Sequence, residues 1–185
     1  VSDITITAGN TTGTSAFTVT DDATYEGSSS ETATISIGTV SGGSASKAGS
    51  GTSTAITIVD NESAPSVSLS ASASTLIENG SAITITATLS NAATQAVSVP
   101  LTTSGTALEG TDYATISDIT IAAGSTSGTA SLTPTDDSTY EGNETIVVSL
   151  GTLSGADATA GSPSSLSFSI TDDEANPTVT LTSSA

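Results

Sequence analysis

Apolar residues alternate with small polar ones along most of the chain. Val67 and Leu69, then Ile83, Ile85, Ala87 and Leu89, sit two apart with Ser or Thr between them, and the spacing recurs at Val97, Val99 and Leu101. Ile119 and Ile121, Ala130 and Leu132, Ile146, Val148 and Leu150, and finally Leu166, Phe168 and Ile170 continue it. A period of two sends successive side chains to opposite faces of an extended strand, so each run predicts a strand with one face packed and one solvated. The intervening Thr residues suit this role, because their branched side chains favour extended backbone. Upstream, Ile4 and Ile6, Phe17 and Val19, Ile35 and Ile37, and Ile56 and Ile58 predict four further strands. No stretch carries a helical period, and Gly- and Ser-rich clusters at Ser41–Gly51 and Gly124–Gly128 read as hairpin loops. The second cluster has neither a Lys nor a following helix, which excludes a phosphate cradle.

The strand pattern is written twice. SDITI at Ser2–Ile6 recurs at Ser117–Ile121 and DDATYEG at Asp21–Gly27 recurs as DDSTYEG at Asp136–Gly142, both displaced by 115 residues. The offset shortens to 113 between Glu31 and Glu144, and to 112 between IVDNESAPSVSL at Ile58–Leu69 and ITDDEANPTVTL at Ile170–Leu181. A unit of this length is close to the roughly 100 residues of one immunoglobulin-like domain and far above a solenoid repeat, so each copy is a whole domain. With boundaries at Pro65 and Pro177, residues 1–63 are the C-terminal half of one domain, 64–175 a complete one, and 176–185 the first strand of a following repeat. The predicted fold is all-β, an immunoglobulin-like seven-stranded antiparallel β-sandwich in tandem copies. Residues 1–63 alone would expose the apolar face of Ile4, Phe17, Val19, Ile35 and Ile37 with open strand edges. Either the chain is a window on a longer polypeptide, which a start at Val1 in mid-pattern favours, or neighbouring subunits complete the sheet by β-augmentation.

Composition removes most chemistry. The chain has 185 residues with 19 Asp or Glu, one Lys or Arg, and no His, Cys, Met or Trp. Neither a Ser-His-Asp nor a Cys-His pair can be assembled, nor a thiolate or imidazole zinc site, and no disulfide staples the fold. A net charge of −18 denies the electrostatic footprint that nucleic acid or anionic lipid requires, and no run is long enough for a membrane-spanning helix. Two carboxylates can run a glycosidase, but such sites sit in clefts lined with aromatics, and the chain is only 3% aromatic. No enzyme is expected. The Asn-x-Ser/Thr triplets at Asn10, Asn61, Asn79 and Asn143 carry no weight in a chain this rich in Ser and Thr.

What remains is oxygen chemistry. Most acids of the complete copy gather in two loop-like segments, Asp136, Asp137, Glu141 and Glu144 between two strands and Asp172, Asp173 and Glu174 after the last one. In a sandwich these ends can converge at one pole, where Glu78 and Asp112 could join them. Carboxylates so crowded repel one another, and with one Lys in the chain the natural neutraliser is a divalent cation, above all calcium. Tyr25 and Tyr140, inside the repeated motif, read as turn-packing side chains with their hydroxyls at the rim.

The same segments carry a family resemblance. GTALEGTDYA, ITIAAGSTSGTASLTPTDDSTYEGNETIVVSL and FSITDDE together resemble the Calx-beta domain of sodium-calcium exchangers and long bacterial surface proteins, the string DD-x-x-[YF]-E-x-x-E being the most specific part. The resemblance covers essentially the whole chain, as one full copy, the second half of another and a first strand of a third. It implies a seven-stranded sandwich with Ca2+ at one pole. The matching positions are Glu78, Asp112, Asp136, Asp137, the main-chain carbonyl of Thr139, Glu141, Asp172, Asp173 and Glu174, with Glu144 read as structural. In the first copy they are Asp21, Asp22, Thr24, Glu26, Asp60 and Glu62, where Asn61 stands in place of an acid.

The functional expectation is a calcium-braced stalk or filament segment of a secreted or cell-surface, adhesin-like protein. Its partners would be neighbouring repeats, or neighbouring subunits through strand complementation. Direct glycan or surface binding and a calcium-sensor role are the alternatives.

Overall fold

The computed structural model describes residues 1–183, and its fourteen strands are all β. Two compact units emerge among the described residues, one formed by residues 1–23 and 30–59, the other by residues 24–29 and those from 60 onward. In the first copy, β1 (Thr24–Tyr25) belongs to the larger unit, whereas β2 (Glu31–Ser36) and β3 (Ser53–Ile58) form an antiparallel pair in the smaller one. The complete copy contributes β4 (Ser66–Ala71), β5 (Thr75–Ile77), β6 (Ile83–Leu89), β7 (Ala92–Ala93), β8 (Val97–Val99), β9 (Leu101–Gly105) and β10 (Ile119–Ile121). It ends with β11 (Ser127–Leu132), β12 (Glu144–Leu150), β13 (Thr159–Ala160) and β14 (Ser165–Thr171).

Two four-stranded sheets make the sandwich, in the orders β11-β6-β4-β13 and β5-β14-β12-β9, while β8 pairs with β10. Strict alternation along β6, with Ile83, Ile85, Ala87 and Leu89 buried and the residues between them turned outward, shows how one periodic run supplies one core face. Val67, Leu69 and Leu132 join that face, and Leu76, Ile146, Val148, Phe168 and Ile170 oppose it from the second sheet.

Two predicted strands are divided by the chain's own chemistry. The apolar run 97–101 breaks at Pro100, which has no N–H to donate, so β8 pairs with β10 and β9 pairs with β12. The first strand changes sheets: β4 lies antiparallel to β6, and after Ser72–Ser74 β5 lies parallel to β14. At the end of β9, Gly105 has φ of 133°, and a Cβ there would fall 2.1 Å from Thr145 O, so this close crossing of β12 admits only glycine.

The first copy departs from the expectation. Residues 4–6 and 17–19 form no strand, although their sequence counterparts lie in or beside β10 and β11. Ile4 and Ile6 are 55% and 56% exposed, whereas the matching Ile119 and Ile121 are 1% and 0%. The sequences agree and the partners do not: β10 pairs with β8 and β11 with β6, and residues 1–62 contain counterparts of β10 onward only. Pairing and burial, not strand propensity, decide the ladder. Residues 176–183 likewise carry no strand, with Val179 and Leu181 almost fully exposed, and the remainder of that predicted strand, Ser184 and Ala185, lies outside the described residues.

Ile119→Ala is expected to cost about 2–4 kcal/mol through the cavity it leaves, whereas Ile4→Ala at the equivalent exposed position should stay within about 0.5 kcal/mol. Urea unfolding followed by circular dichroism measures both, and equal losses would contradict the pairing argument.

Candidate metal centre

Strand register brings the acids together. β5 ends at Ile77 opposite Thr171, the last residue of β14, so Glu78 and Asp172 emerge at the same end. Glu78 N–H continues that pairing to Thr171 O at 3.0 Å. β12 begins at Glu144, opposite Ile170, which places Glu144 and the loop before it at this end too. β9 reaches Gly105 opposite Ile146, and the following turn delivers Asp112. Leu108 N–H donates to Asp112 Oδ2 at 2.5 Å and Asp112 N–H donates to Leu108 O at 2.9 Å, so the turn is closed by its own aspartate. Thr135 N–H donates to Asp112 O at 2.9 Å, tying the turn to the segment that leads into Asp136.

Further backbone bonds fix the remaining side chains. Asp172 Oδ2 accepts from the amides of Glu141, at 2.6 Å, and Gly142, while Oδ1 accepts from Glu174 N–H at 2.9 Å. Asp137 Oδ1 accepts from Thr139 N–H at 2.6 Å, Asp137 N–H reaches Glu78 Oε1 at 3.3 Å, and Asn79 Nδ2 donates to Asp173 Oδ2 at 2.5 Å. Tyr113, 2% exposed, anchors the pole from beneath through bridges to Glu109 and Pro134.

Four triads of carboxylate oxygens result, each with its three oxygens within 4.8 Å of one another: Asp136, Asp173 and Glu174; Glu78, Asp172 and Glu174; Glu78, Asp137 and Glu141; and Asp112, Glu141 and Glu144. Consecutive triads share Glu174, Glu78 and Glu141, so the set is a continuous string. Every carboxylate expected from the sequence of the complete copy lies in it, and Glu144, expected to be structural, occupies its end; Thr139, expected to contribute its carbonyl, is seen donating its amide to Asp137. The signal for Glu144 lay in the motif itself, whose last acid is the first residue of β12 and therefore cannot leave the pole.

The electrostatics carry the strain of this crowding. Glu78 and Asp112 are 6% and 8% exposed, although no Lys or Arg occurs in residues 64–175. Burial raises the Glu78 carboxyl above its ordinary range, partly offset by the Asp137 amide, and burial with nearby Asp112 and Asp137 raises Glu141. Burial and a hydrogen bond with Asp112 push Glu144 up to about 7, and burial with the pairing to Asp172 does the same to Glu174. At Asp172 burial works upward, but the three amide bonds prevail and hold it below the ordinary value. Glu174 Oε2 is buried and accepts no hydrogen bond among the described residues, an orphaned anionic oxygen that a cation would satisfy. The donors are all oxygens, which matches a hard divalent ion.

In the first copy, Asp60 repeats the clasp of Asp172: Oδ2 accepts from Glu26 N–H at 2.6 Å and Oδ1 from Glu62 N–H at 3.0 Å, and these bonds hold its carboxyl low. Thr24 lies in β1, while Asp21 and Asp22 belong to the smaller unit. None of these first-copy residues enters the four triads.

Comparison with known proteins gives one family: the Calx-beta domain matches residues 60–174, more than half of the chain. Among solved structures, the apo-form Calx CBD1 domain is 21% identical with a TM-score of 0.49, over 58% of this chain and 97% of that one. The calcium binding domain CBD12 of CALX1.1 is 23% identical with a TM-score of 0.47, over 54% of this chain and 41% of that one. The Calx CBD2 domain is 16% identical with a TM-score of 0.46, over 57% of this chain and 86% of that one. No curated protein matches the chain.

Without divalent cations, the raised groups set the pH response. Between the ordinary 4.5 and about 7, folded Glu144 and Glu174 retain protons that the unfolded chain releases, so stability falls as pH rises through that window. Asp60 and Asp172 act oppositely, their contribution being lost as pH falls below the ordinary 3.8. Thermal unfolding in chelator should therefore give a higher midpoint at pH 5 than at pH 7.5, and a midpoint rising across that interval would contradict the assignment.

Proposed function

The chain belongs to the Calx-beta domain family, and from that membership we propose that residues 64–175 form a calcium-binding structural module whose ions brace one pole of the sandwich. The observation that carries the reading is the continuous string of nine carboxylates with no cationic side chain in the domain and with a buried Glu174 oxygen lacking a partner. Glu78, Asp137 and Glu141, with Asp172, Asp173 and Glu174, would hold ions along the string, and Asp136, Asp112 and Glu144 would close its ends. The carbonyl of Thr139 is a further candidate ligand. Bound calcium would supply positive charge among acids that otherwise repel one another or take up protons.

The brace acts where the chain leaves the domain. Asp172 and Glu174 lie five and three residues before Pro177, so ions held there would stiffen the exit toward whatever follows. A repeated, acidic, calcium-stiffened sandwich suits a stalk or filament segment of a secreted or cell-surface protein, and that setting belongs to the proposal. Neighbouring repeats are its natural partners.

Calcium titrated into the intact chain is expected to raise the thermal midpoint of the complete domain, by the equivalent of about 2.7 kcal/mol at a hundred times the dissociation constant. A flat midpoint together with no heat of binding would sink the reading. Glu78→Gln separates the two sides of the argument: removal of a buried charge shared by two triads should stabilise the calcium-free domain at pH 7.5 while weakening calcium binding about tenfold or more. Calorimetry and thermal unfolding read the two effects independently, and unchanged affinity would remove Glu78 from the ligand set.

A further inference from the structure

The repeated motif is seen once docked and once bare. Tyr25 of DDATYEG is 5% exposed: β1 runs parallel to β7, with Tyr25 opposite Ala93, and Thr94 N–H donates to Tyr25 O at 2.9 Å. Its hydroxyl donates to Asp157 Oδ2 at 2.7 Å, and that hydrogen bond raises the Tyr25 pKa. The site that receives it is built from two turns of the complete copy, on the loops between β6 and β8 and between β12 and β14. Tyr140, at the same place in DDSTYEG, lies in no strand and is 42% exposed.

The chain around Tyr140 is set out as it is around Tyr25. Each tyrosine precedes a glutamate, Glu26 or Glu141, whose amide is clasped by an aspartate, Asp60 or Asp172. From each clasp the chain reaches proline in five residues (65 − 60 and 177 − 172), where PSVSL and PTVTL begin. The receiving turn is also repeated. Gly155, Ala156 and Asp157 are left-handed in succession, at φ of 92°, 50° and 50°, and Gly42, Gly43 and Ser44 repeat the run at 87°, 58° and 57°. The turn is thus a fixture of the repeat, and its third residue is a hydrogen-bond acceptor in both copies.

We infer that Tyr140 is the docking element for a following copy of this repeat, the one whose sequence opens at Pro177, and that it enters the pocket between that copy's counterparts of Ala93 and Asp157. The occupant is recognised by its small residue opposite the ring and by an acceptor on a left-handed turn. Because Tyr140 stands between Thr139 and Glu141, the same contact fixes the backbone beside the acidic string, although the docking itself needs no metal.

Tyrosine nitration by tetranitromethane, mapped by mass spectrometry, tests this on the full chain and on the chain extended after Ala185 by a copy of residues 74–175 that carries Y140F at the matching position, so that the original Tyr140 is read alone. Tyr140 should react in the first and be slowed about tenfold or more in the second. Tyr113, 2% exposed, and its counterpart in the added copy serve as unreactive references that both domains are folded. Restored reactivity when the added copy carries A93K and D157K at the matching positions would support the pocket. An unchanged rate for Tyr140 in the extended chain would overturn the inference, and so would protection that survives those two substitutions.

Discussion

Like charges forced together without a countercharge are the constraint on which the rest of this structure depends. Nine carboxylates from four separate stretches of sequence form a string of triads, the three oxygens of each within 4.8 Å of one another, and the backbone holds them there. Asp172 binds three amides and Asp137 one, so the loops are organised around anions before any metal is considered. Glu144 and Glu174, whose hydrogen-bond partners are the carboxylates of Asp112 and Asp172, are the ones pushed up to about 7. The pole is therefore divided into carboxylates that position and carboxylates that wait, a division that follows from which oxygens the amides reach.

The sandwich was legible in the sequence because its core obeys a period of two almost without exception. Ile83 through Leu89 and Ile146 through Leu150 are read correctly from spacing alone, since one buried face and one wet face leave that mark. The failures have a common physical origin. Ile4 and Ile119 are spelled alike, and only the presence of β8 beside the second makes a ladder. Periodicity reports that a segment is able to form a strand; it carries no information on whether a partner is there.

The acidic pole was legible for a different reason. Clustering along the chain picks out seven of its nine carboxylates, Glu144 among them although it reads as structural, whereas Glu78 and Asp112 come from the convergence of sandwich ends and the family resemblance. What no spacing revealed is that Thr24–Ser29 pack with the complete copy, because the decisive contacts, Ala93 and Asp157, are more than sixty residues away in sequence.

The sheet switch between β4 and β5 has a mechanical consequence. β5 and β14 are parallel neighbours, and tension applied to the two ends of the domain draws them in opposite directions along their common axis. Their hydrogen bonds then share the load in shear instead of opening one after another as in an unzipping hairpin, and the charged pole sits at the end of this seam. A force-bearing tether could be built from such units with its strongest clamp and its ion sites in the same place.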